Sequence, residues 1–577
     1  MQHDTERSPR RGSRVALWVP IGTAVVAAAL LLGPLLGPGV TVVYDMPWSP
    51  IPRLTPFSLG IGTPAPRAVP GDAVVTVLGL LLGAALAQKL ILATLLVVAG
   101  LGAGRLLTTL RPRAGVLARA ATVLAAIWNP FVLDRLAVGQ WVVLLGYAVT
   151  PFALARTAAS AGGRGGALGW CLLLGVASLG GANPWLMVTT VVLLALCVTR
   201  PRALTWALVL ATTLGSAAVW AVPALLHQIA AAPTGAGAFA PRADTPFGTW
   251  ISLLSGGGFW NAAAHLGSRE QLLLVLPAVL IALASAAAAL RALVRQAPRI
   301  LVTVLVPLGV VLVSATPALR SWWEMIVGVP GGGLLRDSQK LIAPWVVVVT
   351  VGLGILVSAL QSRSRRIAVL APTAVALTLT PVVLQPGGVW GMGGRLAATE
   401  VPDEFTTVAT LVSEQPDGTV GVLPWSQYRR YDWNERRISL TLLPRMVDQV
   451  TLYDDSLPLL ESQVPGEDPR AQRVSTAIAA GRDPVTALRE EGAAYVIVEK
   501  RAGLPVQETD EAADVLHDGP HLRVLRVGDV RETPMDGALR LGWMTTLMTW
   551  FALVAAAARP TGTVFRRWAH ALLRSRA

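Results

Sequence analysis

From end to end the chain repeats one pattern, an apolar run of roughly 15 to 23 residues and then a short gap carrying arginine. About 20 apolar residues in a helix cross the ~30 Å hydrocarbon core of a bilayer. Only 14% of the 577 residues are charged and 53% are hydrophobic, whereas soluble domains carry about 25% charged residues. The pattern predicts a polytopic α-helical membrane protein. Twelve spans fit, at 15–36, 89–107, 115–128, 141–157, 167–181, 185–199, 203–225, 271–290, 300–316, 341–360, 367–385 and 540–558. Residues 73–107 are apolar throughout, yet one helix of that length would measure about 52 Å. Division near Gln88-Lys89 makes the first part a helix on the membrane surface and the second a crossing one.

Arginine sets the orientation. Alternate gaps hold Arg105, Arg111, Arg113 and Arg119, then Arg156 and Arg164, Arg200 and Arg202, Arg291, Arg295 and Arg299, and Arg363, Arg365 and Arg366. These gaps share a side with both termini, which places both termini in the cytoplasm. The expected organisation is a cytoplasmic tail at 1–14 and a transmembrane domain at 15–385 with a first outer loop at 37–88. An extracytoplasmic α/β domain follows at 386–539, and a last helix with its tail at 540–577. The α/β reading rests on short β-like runs at Thr419–Leu423, Ala494–Glu499 and Leu522–Val527. It also rests on DPVTALREEGAAYVIVEK (483–500), a capped helix, a glycine stop and a buried strand.

The acidic residues are distributed in the complementary way. Of 34, the segment from Glu400 to Asp536 holds 25 and the N-terminal tail holds Asp4 and Glu6. The remaining seven are Asp45, Asp72, Asp134, Asp244, Glu270, Glu324 and Asp337, and all fall in outer gaps. Carboxylates contribute little to topology, so as a set they point to an outward-facing polar site. Tryptophans such as Trp48, Trp141, Trp185, Trp260 and Trp322 also cluster at outer ends. Two readings stand for them, an interfacial aromatic belt and stacking on sugar.

Several functions are disfavoured. The net charge of +14 lies in short arginine-bearing gaps, with no basic stripe interleaved with aromatics, so nucleic acid is not an expected partner. Cys171 and Cys197 fall in apolar runs and make no disulfide framework. The N-terminal Arg7, Arg10, Arg11 and Arg14 precede an apolar stretch longer than a signal core, which reads as a retained first helix. GLGAG (100–104) has no strand before it, and no Walker A, HExxH or CxxC motif occurs. Ion-coupled transporters bury ionisable groups near the midplane, whereas these spans are nearly charge-free, with Lys89 and Arg119 near ends.

What remains is chemistry at the outer helix ends. WNPFVLDRLAVGQW (128–141) offers Asp134 and Arg135, and GGGLLRDSQKLIAPW (331–345) offers Arg336, Asp337 and Lys340 where a Gly-rich turn meets a helix. Backbone N–H groups at a helix start, with Arg and Lys beside them, suit a phosphate. The alternative is a polar loop in which Asp337 or Ser338 caps the helix. Asp45 lies a few residues past the first span, and there too a plain turn-organising role before Pro47 is an alternative.

The outer aspartate just past helix 1, surface helices in that loop, about a dozen spans and a C-terminal outer domain together resemble the GT-C superfamily of integral membrane glycosyltransferases. YDMPWSP (44–50), WNPFVLDRLAVGQW, LLRDSQKLIAPW (334–345) and LPWSQYRRYDWN (423–434) resemble actinobacterial membrane proteins of the YfhO-like and arabinofuranosyltransferase-like kind. The resemblance implies a plasma-membrane enzyme using a polyprenyl-phosphate-linked sugar, a cell-envelope glycan or lipid as acceptor, and Asp45 as catalytic base. Where many members carry a second acid close by, this chain has Met46 and Pro47, so that role would pass to Asp72 or Asp134.

The chemistry agrees. No nucleotide sugar is available outside the cell, so the donor must be lipid-linked and enter from the membrane. Transfer then needs a base for the acceptor hydroxyl and cations at the departing phosphate. Arg135, Arg336 and Lys340 are the candidate cations, with Asp134, Asp337 and Glu324 completing the donor-side set. The sequence names no definite cofactor, and a divalent cation is one candidate. Rival readings are a non-catalytic scaffold of the same fold that binds glycolipid, and a lipid-linked saccharide transporter.

Overall fold

Helices apolar on all sides must face other helices or lipid. The computed structural model describes residues 10–62, 68–159, 166–226, 235–364, 370–458, 463–505, 514–531 and 533–558. Among these, nine helices are long and apolar enough to cross a membrane, or eleven if each of two bent pairs is one span. The bent pairs are Arg299–Ser314 with Pro317–Gly328, at 86°, and Leu370–Val383 with Pro386–Gly393, at 57°. The expected run at 167–181 forms a helix of 12 residues, Ala167–Ser178. Large apolar side chains such as Leu214, Leu273 and Phe551 are more than two-thirds exposed on these helices. In water such surface would be a liability; in a multi-pass membrane protein it is the lipid face. Parts of the arginine argument, at Arg7, Arg164, Arg365, Arg366 and the tail beyond Ala558, lie outside the described residues.

The long apolar stretch 73–107 divides earlier than expected. The helices are Gly71–Leu82 and Ala84–Leu110, so the break is at Gly83 rather than near Gln88-Lys89. Gly83 has φ +83°, a conformation open to glycine and costly for other residues. Gln88 instead lies within the second helix, where its side chain both accepts from and donates to the Thr41 backbone, each at 2.8 Å. Inside the bundle, small residues permit close approach. A Cβ added at Gly352 would lie 1.9 Å from the Ser285 carbonyl oxygen.

Beyond the helices the chain builds a five-stranded sheet in the order Asp514–Asp518, Leu522–Arg526, Ala493–Glu499, Thr419–Leu423, Thr451–Leu452. Ala493–Glu499 runs parallel to Thr419–Leu423 and antiparallel to Leu522–Arg526. Its seven residues are all buried, as a strand covered on both faces requires. One face packs on helices Pro469–Ala479 and Pro484–Glu490 through Val474, Val485 and Leu488. The other meets Phe405, Val408 and Val412 of helix Asp403–Ser413. Asp483 caps its helix by accepting from the Thr486 N–H at 2.7 Å, and Gly492 ends it at φ +88°.

The sheet region is tied to the first outer loop. Val42–Val43 and Met46–Pro47 form a small antiparallel hairpin whose turn is Tyr44 and Asp45. Tyr44 donates its N–H to the Ile438 carbonyl at 2.7 Å and accepts from the Leu440 N–H at 3.2 Å. The Asn434 side chain donates to the Val42 carbonyl at 2.8 Å. The loop after the first helix and the sheet region therefore share one hydrogen-bond system.

Candidate active site

A cavity of about 1890 Å³ lies between helix ends, the first loop and the sheet region. Asp45, Asp337, Lys340 and Arg336 line it, as do Trp141, Trp185 and Trp260. Trp250 and Trp322 are exposed instead. Among the described residues no group of three or more His, Cys, Asp or Glu side chains is placed to hold a metal ion.

Asp45 owes its position to three segments. Its hairpin is pinned from one side by the sheet region and from the other by the turn after helix Pro130–Ala137. Asn129 caps that helix through the Val132 N–H at 3.1 Å, with Pro130 at the first position. The turn is made by Gly139 at φ +68°. A Cβ there would lie 2.6 Å from both the Met46 Cβ and the Val43 carbonyl oxygen, so only glycine lets the hairpin approach. The Asp45 N–H then donates to the Val138 carbonyl at 3.1 Å.

The Asp45 carboxylate does not cap its own turn. Its Oδ2 accepts from Gln140 Nε2 at 2.8 Å. The side chain is open to the cavity, but protein surrounds that space. This confinement pushes the carboxyl above the ordinary carboxylate range, against the opposing pull of the Gln140 bond and the Arg135 charge.

Behind Gln140 stands Arg135, fully buried. Its Nη1 donates to Gln140 Oε1 and, at 2.6 Å, to Asp337 Oδ2. Its Nη2 donates to Asp337 Oδ1 at 3.1 Å and to Gln339 Oε1. The guanidinium also lies over the Phe259 ring, 4.4 Å from its centroid. Burial alone would raise the Asp337 carboxyl, but Arg135 beside it, with Lys340 and Arg336 beyond, holds it below the ordinary range. Asp337 makes no capping hydrogen bond to the helical turn that follows, so the capping alternative for it does not hold. Three residues far apart in sequence, Asp45, Arg135 and Asp337, are thus brought into one network. Gln140 and Gln339, the residues that join them, went unnoticed in the sequence. A glutamine has no pattern of its own, and only its place two residues beyond Val138, within WNPFVLDRLAVGQW, marks Gln140.

The other candidates separate. Lys340 is buried at the cavity wall, and its Nζ donates to Asn183 Oδ1 at 2.6 Å. Arg336 lies over the Phe239 ring at 4.8 Å with Glu467 3.6 Å away. Arg135 was expected at a phosphate, but it is not among the cavity-lining residues and its Nη groups are committed inside the protein. Asp134 is fully buried away from the lining, and neither of its oxygens has a hydrogen-bond partner among the described residues. Glu324, on helix Arg320–Gly328, is also outside the lining. Of the two acids considered for a second role, Asp72 shares a cleft with Asp45 and pairs with Arg445 at 2.8 Å. In LPWSQYRRYDWN, Arg429 is buried against Glu499, which also accepts from Tyr431 at 2.5 Å, while Arg430 is exposed and lines the cavity.

No protein-family model matches the sequence, and no curated protein matches it either. Solved structures do. The arabinofuranosyltransferase AftD from Mycobacteria superposes with a TM-score of 0.53 at 16% identity, over 89% of this chain and 40% of AftD. A mutant form of AftD superposes at 0.56 and 16%, over 90% and 42%. The chain shares the fold of these AftD structures. The chain spans about two-fifths of the length of the AftD chains it matches. The archaeal oligosaccharyltransferase AglB from Archaeoglobus fulgidus, in complex with an inhibitory peptide and a dolichol-phosphate, aligns at 0.44 and 11% over 84% of this chain and 69% of its own.

Proposed function

We propose that the protein is a plasma-membrane glycosyltransferase. It takes a sugar from a polyprenyl-phosphate carrier and passes it to a cell-envelope glycan or lipid, with Asp45 as general base. The observation that carries this reading is that Asp45 lines the same cavity as Lys340 and Arg336 and is oriented by Gln140 rather than spent on its own turn. In the reaction the acceptor hydroxyl gives its proton to Asp45. Its oxygen bonds to the anomeric carbon of the sugar, and the bond from that carbon to the phosphate oxygen breaks. The polyprenyl phosphate departs with the electron pair, its charge met by Lys340 and Arg336. With both termini in the cytoplasm the cavity opens outside the cell, where a lipid-borne donor is the available kind. Arabinofuranose is the sugar to try first, because AftD shares the fold.

Asp45→Asn keeps the side chain's size and removes its basicity. Transfer from a polyprenyl-phosphate arabinofuranose in proteoliposomes is expected to fall by about a hundredfold or more, at unchanged protein level and melting temperature. A wild-type rate in this variant would remove the catalytic assignment and leave a glycolipid-binding scaffold as the reading.

A further inference from the structure

We propose that Gln140 is a positioning residue for Asp45 and that the Arg135–Asp337 ion pair fixes it in that role. The inference rests on Asp45 being the base. Its ground is the direction of the hydrogen bonds. A guanidinium only donates, so the Gln140 oxygen must face Arg135 and its NH2 must face Asp45. Arg135 cannot turn away. It is fully buried, holds Asp337 through two parallel bonds of 2.6 and 3.1 Å, and stacks 4.4 Å from the Phe259 centroid. It also donates to Gln339, which is itself anchored by donating to the Gly257 carbonyl at 3.0 Å. The chain of donors therefore has one polarity and ends on Asp45 Oδ2. Such a bond favours the ionised carboxylate, sets its plane, and leaves Oδ1 for the acceptor's proton.

Other charged or titratable groups face Asp45 from each side. Tyr44 neighbours it in the hairpin, Arg135 and Asp337 lie behind Gln140, and Arg445 approaches from the sheet region. Asp72 and Arg53 line the adjoining cleft. A change at Gln140 leaves all of these in place.

The test is the pH dependence of kcat/KM for transfer from polyprenyl-phosphate arabinofuranose in proteoliposomes, with Asp45→Asn run beside it. In Gln140→Leu the acidic limb should move upward by about one pH unit, with the rate recovering at higher pH and donor KM little changed. In Gln140→Glu, which can still accept from Arg135 but sets a carboxylate against Asp45, the limb should move further. Should Gln140→Leu fail to accumulate, Gln140→Glu reads the same shift. A superimposable profile, or an equal loss of rate at every pH, would overturn the positioning role. An inactive Asp45→Asn alongside that result would leave the proposed function standing; an active Asp45→Asn would remove both.

Discussion

Two buried aspartates, both picked out by the same outer-gap distribution, have opposite standing in the structure. Asp244 is held by Arg269 through bonds of 2.7 and 3.0 Å and by the Gly258 N–H at 3.1 Å. Burial would raise its carboxyl, but the Arg269 charge and these bonds hold it below the ordinary range. Because the folded carboxyl keeps its charge to lower pH than an unfolded aspartate, the pair's contribution is complete above the ordinary aspartate range. It is lost as the pH falls below that range. Asp134 is as buried, but neither of its oxygens has a partner among the described residues. Removing one member of a buried pair costs about 3–5 kcal/mol, whereas Asp134→Asn breaks no hydrogen bond and should change stability by about 1 kcal/mol or less. Thermal unfolding in detergent should therefore show a large drop in Tm for Arg269→Ala and almost none for Asp134→Asn. Equal drops would mean that Asp134 has a partner the buried geometry does not show.

At the scale of elements, the hairpin Val42–Pro47 is too short to hold its shape alone. Its turn residue Tyr44 sits at φ +37°, a strain that persists only where the surroundings enforce it. The enforcement comes from the Ile438 and Leu440 backbone on one side and the Gly139 turn on the other. Gly139→Ala should leave the bundle and the sheet intact, since its φ penalty is only about 1–2 kcal/mol. It should still push the hairpin away, because its Cβ would fall inside contact distance of Met46 and Val43. A misplacement of about 1 Å can cost a hundredfold in rate, so loss of activity with only a small fall in Tm is the expected result. Retained activity would show that the hairpin tolerates displacement.

For the whole molecule, arginine placement predicts the orientation, and accessibility checks it. Cys171 is buried and Cys197 exposed, so Cys197→Ser comes first. In that background Ala480→Cys, on the exposed end of helix Pro469–Ala479 in the sheet region, should react with a membrane-impermeant maleimide in intact cells. Arg113→Cys, in the exposed gap after helix Ala84–Leu110, should react only after permeabilisation. The reverse pattern would invert the topology and place the cavity on the cytoplasmic side, where nucleotide sugars are present, removing the reason for a lipid-linked donor.

Hydrophobic length and local capping are properties of contiguous residues, and the sequence by itself determined what depends on them. Among the described residues each of the twelve apolar runs holds a helix, eleven of them at most long enough to span, and the strands Thr419–Leu423, Ala493–Glu499 and Leu522–Arg526 lie within a residue of their expected positions. Asp45, Arg135, Arg336, Asp337 and Lys340 were legible because charge is conspicuous beside apolar spans. What each of them touches was not. Arg135 reads as a phosphate ligand until Asp337, 202 residues away, occupies its guanidinium. The part played by Gln140 was likewise settled by partners distant in sequence. A hydrogen bond forms where two groups come within about 3 Å with the right polarity, and for segments this far apart only the tertiary structure sets that distance.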